Sequence, residues 1–196
     1  MHTSVRRIAL AALALPLLLA GCADDDPVPK IPDASTPTAS VAETADPGDP
    51  DDPVEPTLPP EAEGKGNEAA EAFVRYYVAV VDFSRQTMEP ERIRALSTAG
   101  CTGCEGLSQL IQKVNANGGR IAGGDQQIKE VRAEELGVPG DDEAFRATAT
   151  VRTTEQTIAG SGVEGLDGVR APESLRYEFV VLRSGSQWRV SEWDVL

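Results

Sequence analysis

Two cysteines three positions apart are the residues of this chain best placed for chemistry. Cys101 and Cys104 lie in the segment STAGCTGCEGL, residues 97–107. Such a pair can form a redox centre, half of a metal site or a structural disulfide. A zinc or iron–sulfur site needs about four ligands, and the chain offers only one more cysteine, Cys22, and one histidine, His2. We therefore expect no metal and no cofactor at this pair.

The N-terminal residues predict the compartment in which the pair works. Arg6 and Arg7 precede an apolar stretch, residues 8–20, which is too short to span a bilayer and has the order of an export signal. The residues Leu-Ala-Gly-Cys that end at Cys22 resemble the lipobox of bacterial lipoproteins. That resemblance implies that residues 1–21 are a cleaved signal peptide and that Cys22 carries lipid, diacylglycerol with further acyl chains such as palmitate. We expect a lipid-anchored protein on the extracytoplasmic face of the cell membrane.

Cleavage at Cys22 would change which catalytic groups remain. It removes His2, and it removes two of the 18 Lys and Arg residues while leaving all 32 Asp and Glu, for a formal charge of −16. A mature chain without histidine has no imidazole base, no Ser–His or Cys–His pair and no imidazole ligand. The acidic balance disfavours nucleic acid, whose phosphates need Lys and Arg. We expect a protein that is not an enzyme.

An oxidising compartment favours a disulfide between Cys101 and Cys104. At the entry to a helix, residues i and i+3 bring their Cα atoms within disulfide range, and so short a ring contributes about 2 kcal/mol. A redox role remains the alternative, because a thiol at a helix N-terminus has a lowered pKa. Thioredoxin-like motifs follow a strand, whereas this one follows a predicted helix.

Composition divides the rest of the chain into a tether and one domain. Residues 23–66 include ten prolines and twelve acidic residues, with no aromatic residue, so we expect residues 22–66 to be the lipidated cysteine followed by a disordered spacer. Residues 67–196 are long enough for one domain with its own core.

Periodicity predicts the elements of this domain. Apolar residues at three- and four-residue spacing predict a long helix from about Asn67 to Ser84, a short helix that starts near Pro90, and a third helix over residues 102–117. Alternation then predicts strands over residues 128–136, 145–152, 175–182 and 188–195. The glycine-rich residues 159–174 predict a long, mobile loop.

The order of helices followed by strands is α+β and resembles the NTF2-like fold, in which a strongly bent antiparallel sheet of about four strands wraps a long first helix. The segments AEAFVRYYVAVVDFSRQT and RIRALSTAGCTGCEGL, together with the lipobox and tether, resemble a family of uncharacterised actinobacterial lipoproteins. The resemblance covers roughly residues 68–196 and implies no particular activity. NTF2-like folds include both enzymes and binding modules, so function has to come from the site.

Two functions stay open for the cone. The favoured one is a non-catalytic binding module for a small apolar ligand, an envelope protein or a cell-wall polymer. The alternative is an NTF2-like isomerase, dehydratase or hydrolase, which would use a buried carboxylate or a tyrosine such as Tyr76. Asp82 is expected on the solvent side of its helix. By alternation Glu192 shares the face of Trp188, and Trp193 takes the other face. The residues expected to line the pocket or core are Phe73, Tyr77, Val80, Phe145, Tyr177, Phe179 and Trp188.

Overall fold

The computed structural model describes residues 52–137 and 142–196. The predicted signal peptide, Cys22 and the first part of the tether lie outside these residues. The described chain begins with a short 3₁₀ helix, Pro60–Glu63, and continues into three α-helices. These are α1 (Gly66–Thr87), α2 (Glu91–Ala95) and α3 (Thr102–Ala116). The three helices confirm the prediction from periodicity.

The first helix runs further than its apolar pattern indicates and stops at a left-handed residue. Met88 has φ 62° and ψ 26°, and its backbone N–H donates to the carbonyl of Ser84. This is the αL helix end that satisfies carbonyls left over in the last turn. The apolar face of α1 is buried, and Phe73 and Tyr77 are its largest members.

Seven strands follow the helices in the described chain. They are β1 (Arg120–Gly123), β2 (Gln126–Glu135), β3 (Glu143–Thr153), β4 (Gln156–Ala159), β5 (Gly168–Arg170), β6 (Ser174–Ser184) and β7 (Gln187–Val195). All neighbouring strands pair antiparallel. One sheet has the order β2-β3-β6-β7 and the other has the order β1-β4-β5.

The two sheets are the two arms of one bent sheet. β1 runs into β2, β3 into β4 and β5 into β6, each through a break of two or three residues. Backbone hydrogen bonds continue across the corner: Gly124 N–H donates to Glu155 O at 2.8 Å, and Thr154 N–H donates to Asp125 O at 3.0 Å. The four predicted strands are therefore confirmed, and the three short strands that sequence reasoning missed are continuations around the bend.

Helix α1 lies inside the bend and contacts strands of both arms. Two of its carboxylates hold the edge strand β2. Glu71 accepts a hydrogen bond from Ala133 N–H at 3.0 Å, and Asp82 accepts one from Gln126 N–H at 2.8 Å. A long first helix inside a strongly bent antiparallel sheet is the α+β cone of the NTF2-like fold, as expected.

The last residues of the predicted tether belong to the folded part of the chain. Ala62 is fully buried. Its carbonyl accepts a hydrogen bond from the indole N–H of Trp188 at 2.8 Å, and the carbonyl of Glu63 accepts one from Arg183 at 3.3 Å. We call residues 55–63 the strap. The predicted boundary at residue 67 is therefore too late, because a proline-rich composition does not reveal that a short 3₁₀ helix with one buried alanine packs on α1.

The glycine-rich residues 159–174 contain a short strand and a closed turn. They contain β5, which pairs with β4. The carboxylate of Asp167 accepts hydrogen bonds from the backbone N–H groups of Gly160 and Ser161, at 3.0 and 2.9 Å. These bonds close a compact turn, so this segment contains structure that the sequence did not predict.

Candidate functional site

The seven residues predicted for the pocket or core are all buried. Most of them are aromatic, and their rings interlock inside the bend. Phe73 stacks on Trp188 with centroids 5.7 Å apart, and Tyr77 meets Phe179 edge-on at 6.2 Å. Tyr177 meets Phe179 in the same manner at 6.0 Å. Aromatic pairs at these distances attract each other beyond their buried area, so this part of the interior is packed with side chains.

A bulge in the last strand reverses the predicted directions of Glu192 and Trp193. Val181 pairs with Val190, but Val180 pairs with Glu192, so Ser191 is an extra residue in β7. One extra residue switches the side of the sheet to which every later side chain points. Trp193 therefore faces inward and stacks on Phe179 at 5.8 Å, while Glu192 is exposed. The faces that regular alternation predicts for both residues are therefore wrong.

Tyr77 and Ser97, two polar residues near the aromatic core, bond to each other. The hydroxyl of Ser97 donates to the carbonyl of Ile93 at 2.6 Å, and it accepts the phenol proton of Tyr77 at 3.2 Å. Burial raises the pKa of Tyr77 to about 12, although the hydrogen bond to Ser97 lowers it slightly. Tyr77 therefore stays a neutral, structural donor at physiological pH.

Asp82 is mostly buried, contrary to the expectation that it faces solvent. Its carboxylate accepts the backbone N–H and the side-chain amide of Gln126, at 2.8 and 3.1 Å, and pairs with Arg85. Desolvation raises the pKa of Asp82, and the nearby charge of Arg85 opposes that shift. Among the described residues it forms no hydrogen bond to a tyrosine, so its geometry is that of a link between α1 and β2.

Cys101 and Cys104 form a disulfide in the structure. The backbone N–H of Cys104 also donates to the sulfur of Cys101, which caps the start of α3. Both residues are at most 2% exposed. Burial keeps both sulfurs away from an attacking thiol, and exchange needs such access. The geometry supports a structural disulfide and gives no support to the redox alternative.

An apolar groove opens beside the aromatic core, between the strap, the helices and the turn that joins β6 to β7. We call it the aromatic groove. Its volume is about 260 Å³. Its apolar walls are Leu58, Phe73, Tyr76, Leu96 and Trp188, and its rim is formed by Ala95, Ser186, Gln187 and Arg189. Ligand sites have this composition, with an apolar lining and a few polar groups at the edge.

Sequence reasoning found only part of this groove. Phe73 and Trp188 are among the predicted pocket residues, and Tyr76 is a predicted candidate of the enzyme alternative. Leu58 was assigned to the tether, although a leucine followed by two prolines stands out in that segment. Nothing in the apolar pattern indicates that Leu96 and the tip of the β6–β7 hairpin meet there.

A larger concavity, of about 340 Å³, lies on the outer face of the four-stranded sheet. Two of its arginines pair with nearby carboxylates: Arg132 bonds Glu130 at 2.7 Å, and Arg146 lies 3.5 Å from Glu178. Exposed pairs of this kind are typical of a solvated surface. We therefore regard the smaller, apolar groove as the candidate site.

Two further properties concern metals and membranes. The described residues contain no group of three or more His, Cys, Asp or Glu side chains that could hold a metal ion. None of the described helices is both long and apolar enough to cross a membrane.

The fold and the groove define the class of this protein, an NTF2-like cone with a surface groove. Its family is shown by sequence: residues 44–194 match the family of unknown function DUF6318, and the chain belongs to that family. The match includes the strap. A comparison with curated proteins finds no significant match.

The solved structures to which this chain is similar are distant. The crystal structure of the intermembrane space region of the chloroplast protein ARC6 is 12% identical, with a TM-score of 0.49, over 68% of this chain and 98% of that one. A variant of Rv3472, a function unknown protein from Mycobacterium tuberculosis, is 14% identical, with a TM-score of 0.37, over 63% of this chain and 76% of that one. A variant of Rd1NTF2_05 is 8% identical, with a TM-score of 0.34, over 63% and 96%. Similarity at this level says nothing about ligands or partners.

Proposed function

We propose that this protein is a lipid-anchored envelope lipoprotein whose folded domain is a non-catalytic binding module. The aromatic groove takes an apolar group of the ligand or partner. One observation carries the proposal: the interior of the bend is packed with aromatic rings, while the groove beside it leaves Leu58 and parts of Tyr76 and Leu96 open to solvent. When a ligand buries uncovered apolar surface in a concave site, the hydrophobic effect stabilises the complex.

The buried polar groups support binding over catalysis. Tyr77 bonds Ser97, and the oxygens of Asp82 bond Gln126 and Arg85. A general base must reach a substrate proton within hydrogen-bond distance, and these groups reach their protein neighbours instead. Neither residue lines the aromatic groove, and Tyr76, the tyrosine that does, has no carboxylate beside it among the described residues of the groove lining.

Binding in the groove can be tested with an apolar fluorescent probe, anilinonaphthalene sulfonate. The soluble chain 22–196 carrying Cys22→Ser should enhance probe fluorescence, with energy transfer from tryptophan, because Trp188 lines the groove. Ala95 is exposed at the rim, so Ala95→Phe should fill the opening and weaken probe binding at least about tenfold, or 1.4 kcal/mol. Ala99→Phe is the matched control, because Ala99 is also exposed but lies outside the groove. Equal binding by both variants would refute the groove as the site.

Anchoring is a separate part of the proposal and rests on the sequence around Cys22. Two or more acyl chains hold a protein firmly on a membrane, whereas one chain binds reversibly. In cells fed labelled palmitate, the wild-type chain should carry label and sediment with membranes. Cys22→Ser should lose both properties. Membrane association that survives Cys22→Ser without label would exclude the lipid anchor.

A further inference from the structure

Strand β7 is an edge strand, and part of that edge is covered by the segment after α2. The backbone N–H of Val190 donates to Leu96 O at 2.8 Å, and the carbonyl of Val190 accepts from Thr98 N–H at 2.8 Å. Ser97 forms a parallel bridge with Val190. This segment therefore pairs with β7 at one residue, as the end of an added strand would.

The same edge continues toward the aromatic groove without a partner strand in the described part of the chain. In an antiparallel ladder, residues two apart point their backbone groups to the same side. The bulge at Ser191 comes after this stretch, so Trp188 points its N–H and C=O to the same edge as Val190. Among the described residues, no hydrogen bond from outside the ladder reaches either group. Trp188 lines the groove, and the residue as a whole is only 5% exposed.

The groove thus combines two features that an extended polypeptide satisfies together. A peptide laid along the edge can accept from the N–H of Trp188 and donate to its carbonyl, as in recognition by strand addition. The side chain of the residue paired with Trp188 lies on the same face of the sheet as the Trp188 indole, so it points toward Phe73, Tyr76 and Leu96, and the next side chain points to the opposite face. Small apolar ligands would fill the groove but leave the backbone groups of Trp188 without partners.

The charge of Arg189 at the rim favours an acidic residue in the bound segment. Arg189 hydrogen-bonds the side chain of Gln187 at 3.5 Å and forms no ion pair within the part of the chain that the structure describes. Arg92 and Arg94, on the neighbouring helix α2, are paired with Glu55 and Glu105. An acidic residue in the bound segment would therefore find its partner at Arg189.

We propose that the aromatic groove and the open edge at Trp188 bind an extended polypeptide segment that carries an apolar side chain next to an acidic residue. This inference rests on the proposed function, because it names the partner of the same groove. The segment pairs its backbone with Trp188, inserts the apolar side chain between Phe73 and Leu96, and places its carboxylate at Arg189.

A displayed library of random peptides, selected on the soluble chain 22–196 with Cys22→Ser, tests the partner. Selected peptides should share an apolar residue beside Asp or Glu. Because strand addition needs a backbone N–H, N-methylation of one central residue should weaken a selected peptide at least about tenfold, while N-methylation of the next residue should not. Ala95→Phe should abolish binding, Ala99→Phe should leave it unchanged, and Arg189→Gln should weaken it about tenfold.

The outcomes separate this inference from the proposed function. If the fluorescent probe binds the groove but the library yields no binder, or yields binders that tolerate N-methylation at every position, the polypeptide partner is wrong and the groove remains a small-ligand site. If neither the probe nor a peptide binds, both proposals fail. Selected peptides that bind Ala95→Phe as well as wild type would place the contact elsewhere and would also overturn the inference.

Discussion

Gly103 lies directly against the main-chain carbonyl of Trp193. A Cβ built on Gly103 would stand 2.2 Å from that oxygen, far inside van der Waals contact. The glycine between Cys101 and Cys104 therefore allows the start of α3 to touch the backbone of β7. The disulfide and the glycine together fix how this helix packs on the edge strand.

Replacing Gly103 by alanine should destabilise the fold by about 1–3 kcal/mol, because the carbonyl of Trp193 is part of a strand and cannot move without breaking it. Gly106 is the matched control. It lies in the same helix, and a Cβ there meets nothing within 4 Å, so Gly106→Ala should be neutral or stabilising by up to about 1 kcal/mol. Urea unfolding of both variants measures the difference. Equal stability would show that α3 does not pack on β7 in this way.

Replacing both Cys101 and Cys104 by serine should lower the free energy of unfolding by about 2 kcal/mol. Affinity for the fluorescent probe should stay the same, because neither cysteine lines the aromatic groove. Thermal unfolding and probe titration of the double variant measure the two effects. Loss of probe binding at unchanged stability would point to a functional role for the pair.

Shortening the chain tests the strap. A chain that starts at residue 67 loses Ala62 and Glu63, whose carbonyls accept hydrogen bonds from Trp188 and Arg183. Its free energy of unfolding should be at least about 2 kcal/mol lower than that of a chain that starts at residue 52. The reason is that two donors in a buried region lose their hydrogen-bond partners. Denaturant unfolding of the two chains measures the difference in their free energies of unfolding. Equal stability would return the domain boundary to residue 67.

The ionisation of Tyr77 predicts how stability depends on alkaline pH. The pKa of its phenol is raised to about 12 in the folded protein by burial. The neutral phenol therefore makes its full contribution to folding stability below about pH 10, the ordinary tyrosine pKa. That contribution is lost as the pH rises from about 10 through about 12. Tyr77→Phe should make the free energy of unfolding less dependent on pH in that window. An unchanged pH dependence would mean that Tyr77 ionises as an exposed tyrosine does.

Most of the fold is predictable from sequence because it depends on regular patterns. Apolar spacing locates α1 and α3, and alternation locates the four long strands. The bulge at Ser191 breaks that regularity, and no residue type near it indicates a bulge. The directions of Glu192 and Trp193 could therefore not be predicted from the sequence. The strap was missed for a similar reason: Ala62 is a single buried residue in a short 3₁₀ helix that packs on α1, and no apolar pattern marks it.

The candidate site is only partly predictable because it forms between distant segments. Phe73 and Trp188 were expected inside on apolar pattern alone. Their neighbours Leu58 and Leu96 come from a proline-rich segment and from the end of a short helix, so no local signal brings them together. The open edge at Trp188 depends on strand order, which places β7 at one side of the sheet.

The most direct test of the proposed groove is a chemical-shift map of the soluble chain 22–196 with Cys22→Ser, titrated with anilinonaphthalene sulfonate. The indole N–H of Trp188 and the amides of Gln187 and Leu96 should shift most, because these residues line the groove. The indole N–H of Trp193, in the interior, should move little. Largest shifts on the outer face of the sheet, at residues such as Arg132 and Thr148, would contradict the groove as the binding site.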